Sequence, residues 1–110
     1  MTITVTSRHF KAHQALVDYA EDAVRGLSRY YDGIIKCVVI LSFEKTRRST
    51  KIAEVNISVY RHKITAEGRT DEFSKSIDAA VEKALVQLKK FKERLHDKDR
   101  KAVRRVREKV

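Results

Sequence analysis

One stripe of side chains constrains the fold of this 110-residue chain more than anything else in it. Phe73, Ile77, Ala80, Val81, Ala84, Leu88, Phe91 and Leu95 recur at three- and four-residue spacing, which places them on one side of a long helix. A helix with one apolar side must bury it against another element. Thr70 or Asp71 is positioned to cap its start, and Asp71 and Glu72 stand where the helix dipole favours acid. Beyond Leu95 the pattern breaks, because Lys98 falls on the stripe's own angle. Core packing is therefore expected to end near Leu95. Residues 97–110 read as a basic C-terminal tail, either a helical extension or a disordered segment.

The remainder of the chain supplies a sheet and a second helix. Thr2 to Thr6 alternates threonine with Ile3 and Val5, the period of a half-buried strand. From Gln14 to Tyr31 the residues Leu16, Ala20, Ala23, Val24, Leu27 and Tyr31 keep helical spacing, with His13 a poor cap before them and Gly33 a stop after them. Ile35 to Glu44 is nearly continuous in β-branched and apolar residues, as a central strand requires. Ile52 to Tyr60 alternates Ala53, Val55, Ile57 and Val59 with polar residues, and Lys63 to Gly68 continues with Ile64 and Ala66. Short connections between these three strands predict an antiparallel meander. There is no proline, so nothing marks an internal linker. The expected fold is α+β: a two-layer βαβββα unit over residues 1–96, with two helices packed on one face of a four-stranded mixed sheet.

Charge is the next constraint. Lys and Arg number 25 against 15 Asp and Glu, a net +10 that calls for an acidic partner. From Lys83 to Val110 there are twelve basic and four acidic residues, and Lys45 to Lys51 carries four cations in seven residues. Ala12 to Asp32, in contrast, holds two arginines and four acids. At 100° per residue, Lys90, Arg94 and Lys101 lie within about 20° of Lys83, on a flank roughly 110° from the centre of the apolar stripe. Lys89 and Lys92 extend the charge round the far side. A cation row of this kind can neutralise successive phosphates of a polyanion, releasing a counterion at each. Arg25 and Arg29, one turn apart near Tyr30 and Tyr31, combine backbone contact with a surface for base stacking. Arg47 and Arg48 in the hairpin loop, and Arg8 at the end of the first strand, complete the candidate RNA-binding set.

Catalysis finds no support. His9, His13, His62 and His96 are scattered, and no H-E-x-x-H, paired-cysteine or G-x-S-x-G arrangement accompanies them. Cys37, the single cysteine, sits in the most apolar strand and reads as a buried, inert thiol of a reducing compartment. No cofactor, metal or small-molecule substrate is expected. No apolar run is long enough to cross a membrane, and the N-terminus lacks a leader pattern, so a cytoplasmic location is expected. By alternation, the open face of the sheet carries one aromatic, Tyr60, and three acids, a poor stacking platform. Contact through helix flanks and loops is the better expectation.

The chain resembles the ribosome hibernation-promoting factor family, also called ribosome-associated inhibitor or sigma-factor modulation proteins. The resemblance rests on Ile3-Thr4-Val5-Thr6-Ser7-Arg8, on Leu27-Ser28-Arg29-Tyr30-Tyr31-Asp32, and on Val38-Val39-Ile40-Leu41-Ser42-Phe43-Glu44-Lys45. It continues through Ala66-Glu67-Gly68, Ser76-Ile77-Asp78-Ala79-Ala80-Val81-Glu82-Lys83 and Gln87-Leu88-Lys89-Lys90-Phe91-Lys92. It departs from the family's usual pattern at Gly26, Ser74 and Val86, where a basic residue, an aromatic and an arginine are the rule. The resemblance implies a bacterial cytosolic protein of this same fold, a monomer when free, in a short form without a further dimerisation domain. It implies binding to rRNA of the small ribosomal subunit at the mRNA channel and the A and P tRNA sites, with Lys83, Lys90, Lys92 and Arg94 facing the RNA. Two other readings stay open from the residues themselves: a generic double-stranded RNA-binding module, and a protein-interaction regulator of transcription.

Overall fold

The computed structural model describes residues 1–45 and 49–108, with side-chain surroundings through Leu95. Along the chain run β1 (Thr2–Ser7), α1 (Gln14–Tyr30), β2 (Lys36–Glu44), β3 (Thr50–Val59), β4 (His62–Thr70) and α2 (Phe73–Glu108). The strands lie in the order β1-β2-β3-β4, with β1 parallel to β2 and the other pairs antiparallel. A parallel pair needs a crossover, and α1 supplies it. This is the expected βαβββα arrangement, a mixed sheet with two helices on one face.

Side-chain alternation sorts the strands into two faces. Cys37, Val39 and Leu41 of β2, Val55 and Ile57 of β3 and Ile64 of β4 turn inward. There they meet Ala20, Val24 and Leu27 of α1 and Ile77, Ala80, Ala84, Leu88 and Phe91 of α2. The stripe read from the sequence is thus the buried side of α2, with Leu95 at its margin. The helices are tied to each other by the Tyr19 hydroxyl, which donates to Asp78 Oδ1 at 2.6 Å. That bond to a carboxylate raises the Tyr19 phenol above its ordinary pKa.

The start of α2 is fixed by a buried polar relay. Ser76 is the buried polar residue of the described core. Its hydroxyl donates to the Lys51 carbonyl of β3 at 2.7 Å and lies 2.7 Å from Thr70 Oγ1. Thr70 Oγ1 in turn accepts the Glu72 N–H at 3.2 Å. Thr70 therefore braces the turn that leads into α2, and the helix begins at Phe73, so Asp71 and Glu72 precede its first turn rather than sit in it. Beside the relay, Gly68 of β4 lies against the α2 backbone, and a methyl group there would run into the Ser76 carbonyl. Absence of a side chain at this position lets helix and strand touch.

Phe10, Phe43 and Phe73 close this end of the core. Phe10 stacks on Phe73 with ring centres 5.1 Å apart and meets Phe43 edge-on at 5.7 Å, while Lys51 Nζ sits 5.4 Å from the Phe43 ring centre. At the opposite end Tyr31 packs edge-on to Phe91 at 5.8 Å, the core role that its helical spacing indicates. Beyond Leu95 the backbone stays helical to Glu108, while Lys109 and Val110 lie outside the described residues.

Removing the Ser76 hydroxyl strands a buried carbonyl, so Ser76→Ala is expected to destabilise the fold by about 1–3 kcal/mol. Gly68→Ala, which forces backbone to move, is expected to cost at least as much. Thermal unfolding followed by circular dichroism checks both, at roughly 4–8 °C of Tm per kcal/mol for a chain of this size.

Candidate nucleic-acid interface

The candidate cations fall into separate places. Lys83, Lys90 and Arg94 are exposed on the α2 flank that overhangs β4, an edge strand of the sheet. An edge strand presents unpaired carbonyls. Here Lys83 Nζ donates to the Glu67 carbonyl at 2.9 Å, and Gln87 Nε2 donates to the Thr65 carbonyl, also at 2.9 Å. The same helical angle that aligns the cations thus also lets two side chains close the edge of the sheet. Lys83 therefore has a structural task in addition to its charge. Gln87 has one too, which helical spacing alone does not reveal.

Lys89 and Lys92 leave α2 on the other flank, toward α1, and converge on Tyr30. Lys92 Nζ stands 4.9 Å from the Tyr30 ring centre and donates to the Tyr30 carbonyl at 3.3 Å. Lys89 Nζ stands 5.6 Å from the same ring. Each ammonium is attracted to the electron-rich ring face, and Lys92 also serves one of the carbonyls left open where α1 ends. Arg29 lies in the last turn of α1. With Tyr30, Lys92 and Leu95 it lines a cleft of about 450 Å³ between the two helices. The aromatic-plus-arginine pairing expected at the end of α1 is therefore assembled with two lysines from α2.

Other candidates lie elsewhere. Arg25 is tied to Asp22 Oδ1 at 2.8 Å on the exposed side of α1, so a neighbouring acid offsets its charge. Arg8 follows the C-terminal end of β1, beside Leu41 of β2. Lys89, Lys92 and Arg94 lie near the opposite end of the sheet, where β2 begins. Arg47 and Arg48 lie outside the described residues.

Cross-strand register organises the open face of the sheet. Thr2, Lys36, Ser58 and Lys63 form one row across it, and Thr6, Ile40, Glu54 and Glu67 form another four residues along. Arg69 bridges Glu44, at 2.8 Å, and Glu67 near the second end. Hydrogen bonds to those carboxylates hold its guanidinium pKa above the ordinary arginine value.

Cys37 faces the core with no exposed surface, and burial pushes its thiol up to about 11. Among the described residues no three His, Cys, Asp or Glu side chains converge to hold a metal ion. No helix among them is long and apolar enough to cross a membrane.

The second helix of this βαβββα domain thus carries cations on both flanks. The family model described as sigma 54 modulation protein / S30EA ribosomal protein matches residues 3–96, and the chain belongs to that family. It is 26% identical over 95 residues to a ribosome hibernation promoting factor of Klebsiella oxytoca, covering 86% of this chain and 97% of the relative. It is 27% identical over 94 residues to one of Azotobacter vinelandii, covering 86% and 85%. Among solved structures, a ribosomal subunit interface protein from Coxiella burnetii superposes with a TM-score of 0.77 at 25% identity, covering 84% of this chain and 99% of that one. The N-terminal domain of Thermus thermophilus Protein Y gives 0.72 at 27% identity, covering 83% and 99%.

The Cys37 thiol yields a pH prediction. Its folded pKa lies above the unfolded value of about 8.5, so the unfolded chain ionises first as pH rises. Stability is expected to fall between about pH 8.5 and 11 on this account, with no contribution below that window. At pH 8 a disulfide reagent is expected to label Cys37 only after denaturant is added. Rapid labelling of the native protein would contradict a buried, protonated thiol.

Proposed function

We propose that this chain binds the small ribosomal subunit between head and body, over the mRNA channel and the A and P tRNA sites. Bound there it blocks translation and stabilises idle ribosomes under stress or in stationary phase. The reading rests on one observation above others: the middle of α2 carries Lys90 and Arg94 on one flank and Lys89 and Lys92 on the other, in a chain of this family. Arg29 and Tyr30 add to the second flank.

The mechanism is occupancy. Cations at one-turn spacing sit about 5–6 Å apart along a helix, close to the spacing of phosphates on a nucleic-acid strand, so each releases condensed counterions on contact. Nothing needs to be cleaved or transferred in that role. Residues 1–96 form the binding unit in this reading, and the basic segment 97–110 adds electrostatic reach in the cytoplasm where ribosomes work.

Cosedimentation with purified small subunits through sucrose tests it. Reversing Lys90 and Arg94 to Glu, with Lys83 left in place to close the β4 edge, is expected to abolish binding while circular dichroism stays unchanged. Wild-type affinity should fall with salt at a log–log slope of about −4 to −5, for roughly six neutralised phosphates. Equal affinity for isolated duplex RNA would replace this reading with a generic double-stranded RNA binder. Salt-indifferent binding to a transcription factor would replace it with a protein-interaction regulator.

A further inference from the structure

The open face of the sheet reads as a poor RNA surface only when its residues are counted together. Register separates them. Lys36 and Lys63 share the row next to the β3–β4 turn, whereas Glu54 and Glu67 share a row four residues away. That is about 13 Å along a strand, beyond the screening length of about 8 Å at physiological salt. The turn itself is Tyr60-Arg61. Tyr60 is 69% exposed, the most exposed of the large hydrophobic side chains described. The Arg61 guanidinium lies 5.3 Å from its ring centre. Arg61 has φ of 56°, in the left-handed region that side-chain-bearing residues seldom occupy. The two-residue turn between β3 and β4 accounts for it. On the inner side of the turn, His62 stacks parallel on Phe91 with ring centres 5.3 Å apart, which braces the hairpin against α2. Tyr60, Arg61 and Arg94 line a cleft of about 400 Å³ there.

We propose that this corner is a stacking site for an unpaired RNA base, with Tyr60 as the platform and Lys36, Arg61 and Lys63 taking the phosphates that flank the base. The site rests on the ribosomal reading above and adds to it an element of single-stranded recognition, distinct from the phosphate row on α2. An aromatic ring bordered by cations offers what a splayed-out base needs: a π face to stack on and positive charge for the backbone on either side. The Arg61 guanidinium over the ring supplies cation–π attraction that polarises the platform. A paired base, already stacked within its helix, has no face to offer Tyr60.

Two measurements test this. In binding to small subunits, Tyr60→Ala is expected to lose about 5- to 100-fold in affinity, the range for loss of one base–aromatic stack, while Tyr60→Phe stays within about twofold of wild type. Lys36→Ala and Lys63→Ala are each expected to flatten the log–log salt slope by about 0.7 to 0.9. By NMR, the Tyr60 ring protons are expected to shift when a short single-stranded RNA is added and to stay put with the same sequence as a duplex. If wild type binds subunits and Tyr60→Ala binds equally well, the stacking site is overturned and the α2 reading stands. If wild type ignores subunits yet the Tyr60 ring shifts with the single strand, the ribosomal reading falls and the stacking site stands. If neither responds, both fall.

Discussion

The contact on which the rest of the molecule depends is the direct seating of α2 on β4 and β3 at Gly68 and Ser76. With no Cβ at Gly68, helix backbone reaches strand backbone, and the Ser76 hydroxyl joins the helix to the Lys51 carbonyl. An α-helix is stiff and turns 100° per residue. Fixing its first turn therefore fixes the azimuth of every later residue. A one-residue slip would rotate Lys83 and Gln87 off the β4 carbonyls and swing Lys92 away from Tyr30. The buried hydroxyl thus governs the placement of charges some 25 Å farther along the helix.

Charge is segregated by the same architecture. Acidic residues of α1 are exposed on one side, with Asp22 tied to Arg25. Those of the open sheet face gather at one end around Arg69. Cations occupy both flanks of α2 and the hairpin corner of the sheet. Among the described residues, these cations gather toward the end where α1 stops, β2 begins and β3 turns into β4, while Arg8, Lys45 and Lys51 lie toward the other. Like charges crowd at the first of these ends at a cost in self-repulsion. The apolar core beneath is ordinary in kind and sets only the geometry.

Periodicity made the element order, the buried side of each helix and the inward face of each strand legible. The reason is physical: periods of 3.6 and 2 state which side of an element is buried. They do not state which element lies next to which side. The helical angles of Lys83, Lys90 and Arg94 revealed a common flank, but not that this flank overhangs a sheet edge. They set Lys89 and Lys92 on the far side, but did not show that this side faces Tyr30. Arg8 looked like one of a set with the α2 cations, and sheet register puts it at the other end. Lys36 and Lys63 are 27 positions apart in the chain and become neighbours only through Ser58 between them. Tyr60 was counted with acids that register places well away from it. The start of α2 was read two residues early, because Asp71 and Glu72 resemble a first turn when the Thr70 hydroxyl that turns the chain ahead of the helix is not seen in place.

The tethering of cations to backbone and ring has an entropic consequence. A free lysine side chain loses on the order of 2 kcal/mol of rotational freedom when it is immobilised. Lys83 is already held by the Glu67 carbonyl, and Lys92 by the Tyr30 carbonyl and ring. An ammonium has three donors, so each of these can meet a phosphate with a second proton while keeping its first bond. Part of the ordering that association normally demands has been completed during folding. For such groups, recognition of a polyanion becomes less a matter of searching for a conformation than of presenting one.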